Sequence, residues 1–158
     1  MTVTDTTSGS IAGCVAGAPG SARVLVVFEE GSAGRATLQK VLKLAAGGAQ
    51  LSVVTLSWEA EHVHCCRCVG PTNAFNHAVR EKAADELREA RALVAMVGAR
   101  ATFATLPGTP HPALGAFIGE HDFELVLVPR QRLARGGSRL ARELRRMTAS
   151  EVRAVGAN

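Results

Sequence analysis

RVLVVF, residues 23–28, is a short unbroken apolar run rich in valine, and it stops at Glu29-Glu30-Gly31-Ser32. A strand with one face in water would alternate. A run that stays apolar from Val24 to Phe28 is buried on both faces, as in a parallel sheet covered by helices. Gly31-Ser32-Ala33-Gly34 then supplies a turn and a helix start. Leu38, Val41, Leu42 and Leu44-Ala45 recur at helical spacing as far as Gly47-Gly48, a C-cap signal. Leu51-Ser52-Val53-Val54-Thr55-Leu56 is a second buried strand, so the chain begins β-α-β.

The same alternation continues to the end. Gly70-Pro71-Thr72 precedes a long helical pattern over Asn73–Val97, with Thr72 or Asn73 as the expected N-cap. Val79, Ala83, Leu87, Ala90, Val94 and Val97 mark its apolar face, and Glu81, Lys82, Asp85, Glu86, Arg88 and Glu89 are placed mostly off it. Gly98 ends the helix, and Arg100–Leu106 alternates as a third strand. Gly108-Thr109-Pro110 opens the next helix, with Thr109 as N-cap, Pro110 at N1, and Leu114, Phe117 and Ile118 facing inward. Phe123–Val128 is a fourth buried strand. Gly136-Gly137-Ser138 starts a last helix with Leu140, Leu144 and Met147 on one side, and Glu151–Val155 is a short final strand. The order βαβαβαβαβ predicts a doubly wound α/β fold, a parallel five-stranded sheet with helices on both faces. Residues 22–158 are expected to form this single domain, and residues 1–21 a flexible Thr/Ser/Gly-rich tail.

The composition excludes several classes. Hydrophobic residues make up 47% of the 158, which is globular and not disordered. No apolar segment is long enough to span a bilayer. Ile11-Ala12-Gly13-Cys14 looks like a lipoprotein cleavage box, but Thr2–Ser10 is polar and no Lys or Arg precedes it. A cytoplasmic location is therefore expected, with no membrane partner. The formal charge of +4 is unevenly placed: from Arg130 onward eight arginines face Glu143 and Glu151, a net +6. Such a face can meet an acidic protein partner, or it can be a solvated helix surface; a nucleic-acid partner is not expected.

His62-Val63-His64-Cys65-Cys66-Arg67-Cys68 packs two histidines and three cysteines into seven residues, directly after the second strand. Ligands of open α/β sheets collect at the carboxyl ends of strands. Thiolates and imidazoles suit zinc, copper or an iron–sulfur cluster. His62, His64, Cys66 and Cys68 share parity and would project to one side of an extended segment, with Cys65 opposite. His77 or Cys14 could supply a distant ligand. The spacing matches no standard zinc knuckle, so a redox-responsive thiol group favoured by Arg67 and the next helix N-terminus stays open, as does a loop with incidental cysteines. His111 and His121 read as structural or solvated.

On element order and spacing, on Gly108-Thr109-Pro110 at a helix start, and on Phe123–Val128 as the strand before a phosphate loop, the chain resembles the universal stress protein family from Arg23 to Val155. The resemblance implies a small cytoplasmic homodimer formed through the last strand, and many members bind ATP. The ATP-binding branch carries Asp after the first strand, and Gly-x-x-Gly, nine residues and Gly-Ser/Thr after the fourth. Here Glu29-Glu30 follows the first strand, and Pro129-Arg130-Gln131-Arg132 stands at the Gly-x-x-Gly place. Only Leu133 to Gly136 precede Gly137-Ser138. This shorter, glycine-poor loop is not expected to wrap a triphosphate. Gly136, Gly137 and Ser138, with Arg132, Arg135 and Arg139, remain a candidate site for a single anion or nucleotide phosphate. The expected function is a non-enzymatic binding or accessory protein, metal- or redox-responsive through the Cys/His stretch. The alternatives are a nucleotide or anion binder at the last helix, and an interaction subunit that docks its basic last helix on a larger partner.

Overall fold

The computed structural model describes residues 21–60, 69–130 and 139–156, and confirms the doubly wound sheet. In chain order the elements are β1 (Arg23–Val27), α1 (Ser32–Ala46), β2 (Gln50–Ser57), α2 (Val69–Met96), β3 (Ala101–Pro107), α3 (Pro110–His121), β4 (Leu125–Pro129), α4 (Arg139–Met147) and β5 (Glu151–Val155). The sheet runs β3-β2-β1-β4-β5, and every pairing is parallel. The chain winds one way from β1 to β3, then returns to the other side of β1 for β4 and β5. Right-handed crossovers therefore put α1 and α2 on one face and α3 and α4 on the other.

The two cores follow from this. Val24, Val26 and Phe28 of the first strand region point with Leu51 and Val53 toward Leu38 and Val41 of α1 and Ala90 and Val94 of α2. Leu25, Val27, Val126 and Val128 point to the opposite layer, against Leu114 and Ile118 of α3 and Ala141 and Leu144 of α4. β1 and β4 are central and almost wholly buried, which is why their sequences are continuously apolar. β3 lies at an edge, and its alternation of half-buried and exposed residues reflects that position.

Several local expectations need correction. α2 begins at Val69, upstream of Thr72 and Asn73; Pro71 lies within its first turn, where a missing N–H breaks no intrahelical bond. Thr109 has the extended backbone of an N-cap but makes no side-chain cap bond. Val97 and Met147 are exposed, although Met147 Cε packs so close to Gly115 that a Cβ there would stand 2.7 Å away. Glu86, placed off the apolar face by its charge, is buried at 6% exposure. Gly98 does end α2, with φ 65, in the left-handed region that favours glycine. Residues 1–20 of the expected tail lie outside the described residues.

Candidate functional site

The residues singled out from the sequence are mostly beyond what the structure describes. His62, His64, Cys65, Cys66 and Cys68 lie outside the described residues, as do Arg132, Arg135, Gly136, Gly137 and Ser138. Among the described residues, no group of three or more His, Cys, Asp or Glu side chains is arranged to hold a metal ion. His77 is exposed on α2, its Nδ1 3.2 Å from Glu81 Oε2. Arg139 is described, and its Nε donates to Glu143 Oε1 at 2.8 Å. That hydrogen bond, above all, holds the Glu143 carboxyl below the usual carboxylate range. His111 Nε2 stands 2.8 Å from Glu143 Oε2, close enough for an ion pair though not aligned as a hydrogen bond. Glu143 thus ties the start of α3 to α4. His121 packs against Phe117 and Phe123, with ring centroids 4.3 and 5.9 Å away, a structural role.

A different site emerges at the carboxyl ends of β1 and β2. A crevice of about 710 Å³ opens there between the start of α1 and the first half of α2. Its floor is the turn Glu29-Glu30-Gly31-Ser32, which only glycines allow. Gly31 has φ 115, and a Cβ on Gly34 would fall 1.7 Å from the Glu29 carbonyl oxygen. The helix therefore starts hard against the strand end. The walls are apolar and aromatic: Leu56, Trp58, Phe75, Val79 and Pro110. Trp58 and Phe75 are 62% and 51% exposed, unusual for the largest side chains of a chain so poor in aromatics.

Set among these apolar walls is Glu86. Its Oε1 accepts from the Glu30 backbone N–H at 3.2 Å and stands 3.6 Å from Lys82 Nζ. Burial pushes its carboxyl above the usual carboxylate range; the neighbouring Glu29 charge adds to that, while the Glu30 N–H and Lys82 oppose it. Next to Phe75, Asn76 ties α2 to the chain just after β2: its Oδ1 accepts from Ala60 N–H at 2.8 Å and its Nδ2 donates to Ala60 O at 3.0 Å. Arg80 Nε donates to Glu59 Oε1 at 2.8 Å beside it. Thr55 Oγ1 donates to Ala83 O at 3.1 Å and fixes α2 on the sheet. Helical spacing could have found this row: Asn76, Val79, Ala83, Glu86, Ala90 and Val94 lie three or four apart.

A second hollow of about 740 Å³ lies between the ends of α1 and α2, where β2 and β3 begin. It is lined by Leu42, alanines and glycines with Lys43 and Arg100 at hand, and no buried polar side chain converges on it. The crevice holds the better claim, because it stands at strand carboxyl ends beside the point where the strand order reverses.

An open parallel sheet of this order defines a doubly wound α/β protein. More narrowly, the chain has the universal stress protein fold. It is similar to the universal stress protein UspA from Lactobacillus plantarum, with a TM-score of 0.72 and 15% identity, over 85% of this chain and 97% of that one. A universal stress protein in complex with cAMP matches with a TM-score of 0.59 and 21% identity, over 87% and 98% of the two chains. A family protein from Arabidopsis thaliana with AMP bound matches with a TM-score of 0.58 and 11% identity, over 87% and 92%. No protein-family model matches the sequence, and no curated protein matches it significantly. Among the described residues, no helix is long and apolar enough to cross a membrane.

Proposed function

We propose that the protein is a non-enzymatic binding or accessory protein that holds a small molecule in the crevice at the ends of β1 and β2. The observation that carries this reading is the crevice itself, about 710 Å³ with aromatic walls and a buried carboxylate. That volume lies within the range of small-ligand sites, roughly 300–1,000 Å³. A metal- or redox-dependent response of the Cys/His stretch is a further part of the proposal, supported by ligand density in the sequence. So are a cytoplasmic location and a homodimer through β5.

An adenine nucleotide is the second reading, favoured by the neighbours whose titles name cAMP and AMP. A thermal-shift screen of cAMP, AMP, ATP and non-nucleotide ligands tests both. A ligand at 100 times its dissociation constant adds about 2.7 kcal/mol. The crevice reading predicts that the shift is lost in Trp58→Ala. A ligand whose shift survives that change binds elsewhere and overturns it.

A further inference from the structure

The crevice has a charge pattern that its shape alone does not require. Lys82 places its ammonium 3.6 Å from Glu86 Oε1 while its side chain stays 67% exposed; the Glu86 side chain is 7% exposed. The carboxylate is buried, and its cation reaches it from an exposed side chain. Both the Lys82 ion pair and the Glu30 N–H fall on Oε1, and neither engages Oε2. Trp58 and Phe75 expose aromatic surface to the same crevice. Aromatic faces carry negative potential and attract cations, most strongly where water is excluded. A desolvated carboxylate in the same crevice as such rings favours a positive group and disfavours phosphate, and the Glu30 side chain at the crevice floor adds to that bias.

We infer that the crevice selects a small organic cation with a flat or apolar body, such as an ammonium, amidinium or guanidinium compound. Its charge meets Glu86 in the place Lys82 now holds, and its body lies along the apolar wall toward Trp58. This rests on the crevice being the ligand site and adds the class of ligand.

Trp58 is the single tryptophan and there are no tyrosines, so intrinsic fluorescence reports this crevice directly. The whole protein is titrated with benzamidine, with its charge-inverted counterpart benzoate, and with ATP. Benzamidine is expected to change Trp58 emission saturably, at least tenfold more tightly than benzoate or ATP. Glu86→Gln is expected to weaken benzamidine tenfold or more. Lys82→Ala, which removes the internal competitor, is expected to tighten it several-fold. Benzoate or ATP saturating the Trp58 signal as tightly as benzamidine would overturn the charge preference and leave the crevice reading standing. An unchanged benzamidine titration in Glu86→Gln would do the same. No Trp58 response to any of the three sinks both.

Discussion

Glu86 occupies a row that α2 otherwise fills with Ala83, Ala90 and Val94, all at most 2% exposed. Its raised pKa makes it a cost to the fold whenever it is ionised. The folded state holds this proton to a higher pH than the unfolded chain, so stability falls as pH rises from the ordinary carboxylate range through the raised Glu86 value. The groups facing it are Lys82 on its own helix and the Glu29 and Glu30 turn after β1. Gln at this position keeps an acceptor for the Glu30 N–H and carries no charge to desolvate. Denaturant melts across pH 4 to 7.5 should show Glu86→Gln at least as stable as the wild type at neutral pH, with the acid-side slope reduced. A variant markedly less stable at neutral pH would show that the Lys82 pair outweighs the desolvation. Gly34 sets the opposite case. A methyl 1.7 Å from a backbone oxygen has nowhere to go, so Gly34→Ala must push α1 away from β1. Overpacking of this kind costs about 1–3 kcal/mol; an unchanged melting midpoint would refute the close approach.

Elements are where the sequence was most and least legible. β1, β2 and β4 are readable because burial on both faces leaves short runs rich in valine and leucine, too short for a helix and enriched in β-branched residues. β5 spans Glu151–Val155, the run its sequence predicts. α2 was harder. Gly70-Pro71 reads as a break, yet a proline in a first turn is compatible with helix, so the start moved three residues upstream of Thr72. Its inward row differs from the apolar pattern for one reason: hydrophobic periodicity sees only apolar residues, so it sets Glu86 off the face and passes over Asn76, both polar groups buried with partners, while it counts Val97, which is exposed. The Cys/His stretch and the Gly136-Gly137-Ser138 site gave strong sequence signals but fall outside the described residues. The crevice gave almost none, since Trp58, Phe75 and Glu86 converge only through the β2–α2 crossover. Asn76 tests how far α2 shapes it. Asn76→Ala removes both bonds to Ala60 and should cost about 1–2 kcal/mol. It should also make Trp58, two residues from Ala60, more accessible to acrylamide quenching; unchanged quenching would mean that the Asn76 clamp does not position the crevice wall.

At the scale of the molecule, β5 is the outer strand of the sheet with no further strand beside it among the described residues, and its backbone directions say how a second copy would meet it. Glu151 N–H donates to Glu124 O at 2.9 Å, and Val155 O accepts from Arg130 N–H at 2.7 Å, so residues 151 and 155 turn their polar groups toward β4. By alternation, Val152 and Ala154 turn theirs to the free edge. Arg145 Nε already donates to Val152 O at 2.8 Å, a guard on one of those groups. A two-fold pairing of β5 with itself would use the Ala154 groups directly and compete with Arg145 for Val152. Proline at 154 removes an outward N–H and leaves the ladder to β4 intact. Sedimentation over a range of concentrations should therefore give a dimer for the wild type, a folded monomer for Ala154→Pro, and a tighter dimer for Arg145→Ala, which frees the Val152 carbonyl. A wild type that stays monomeric while Arg145→Ala dimerises would assign Arg145 to keeping the edge closed. Dimers that persist in Ala154→Pro would place the interface on another surface altogether.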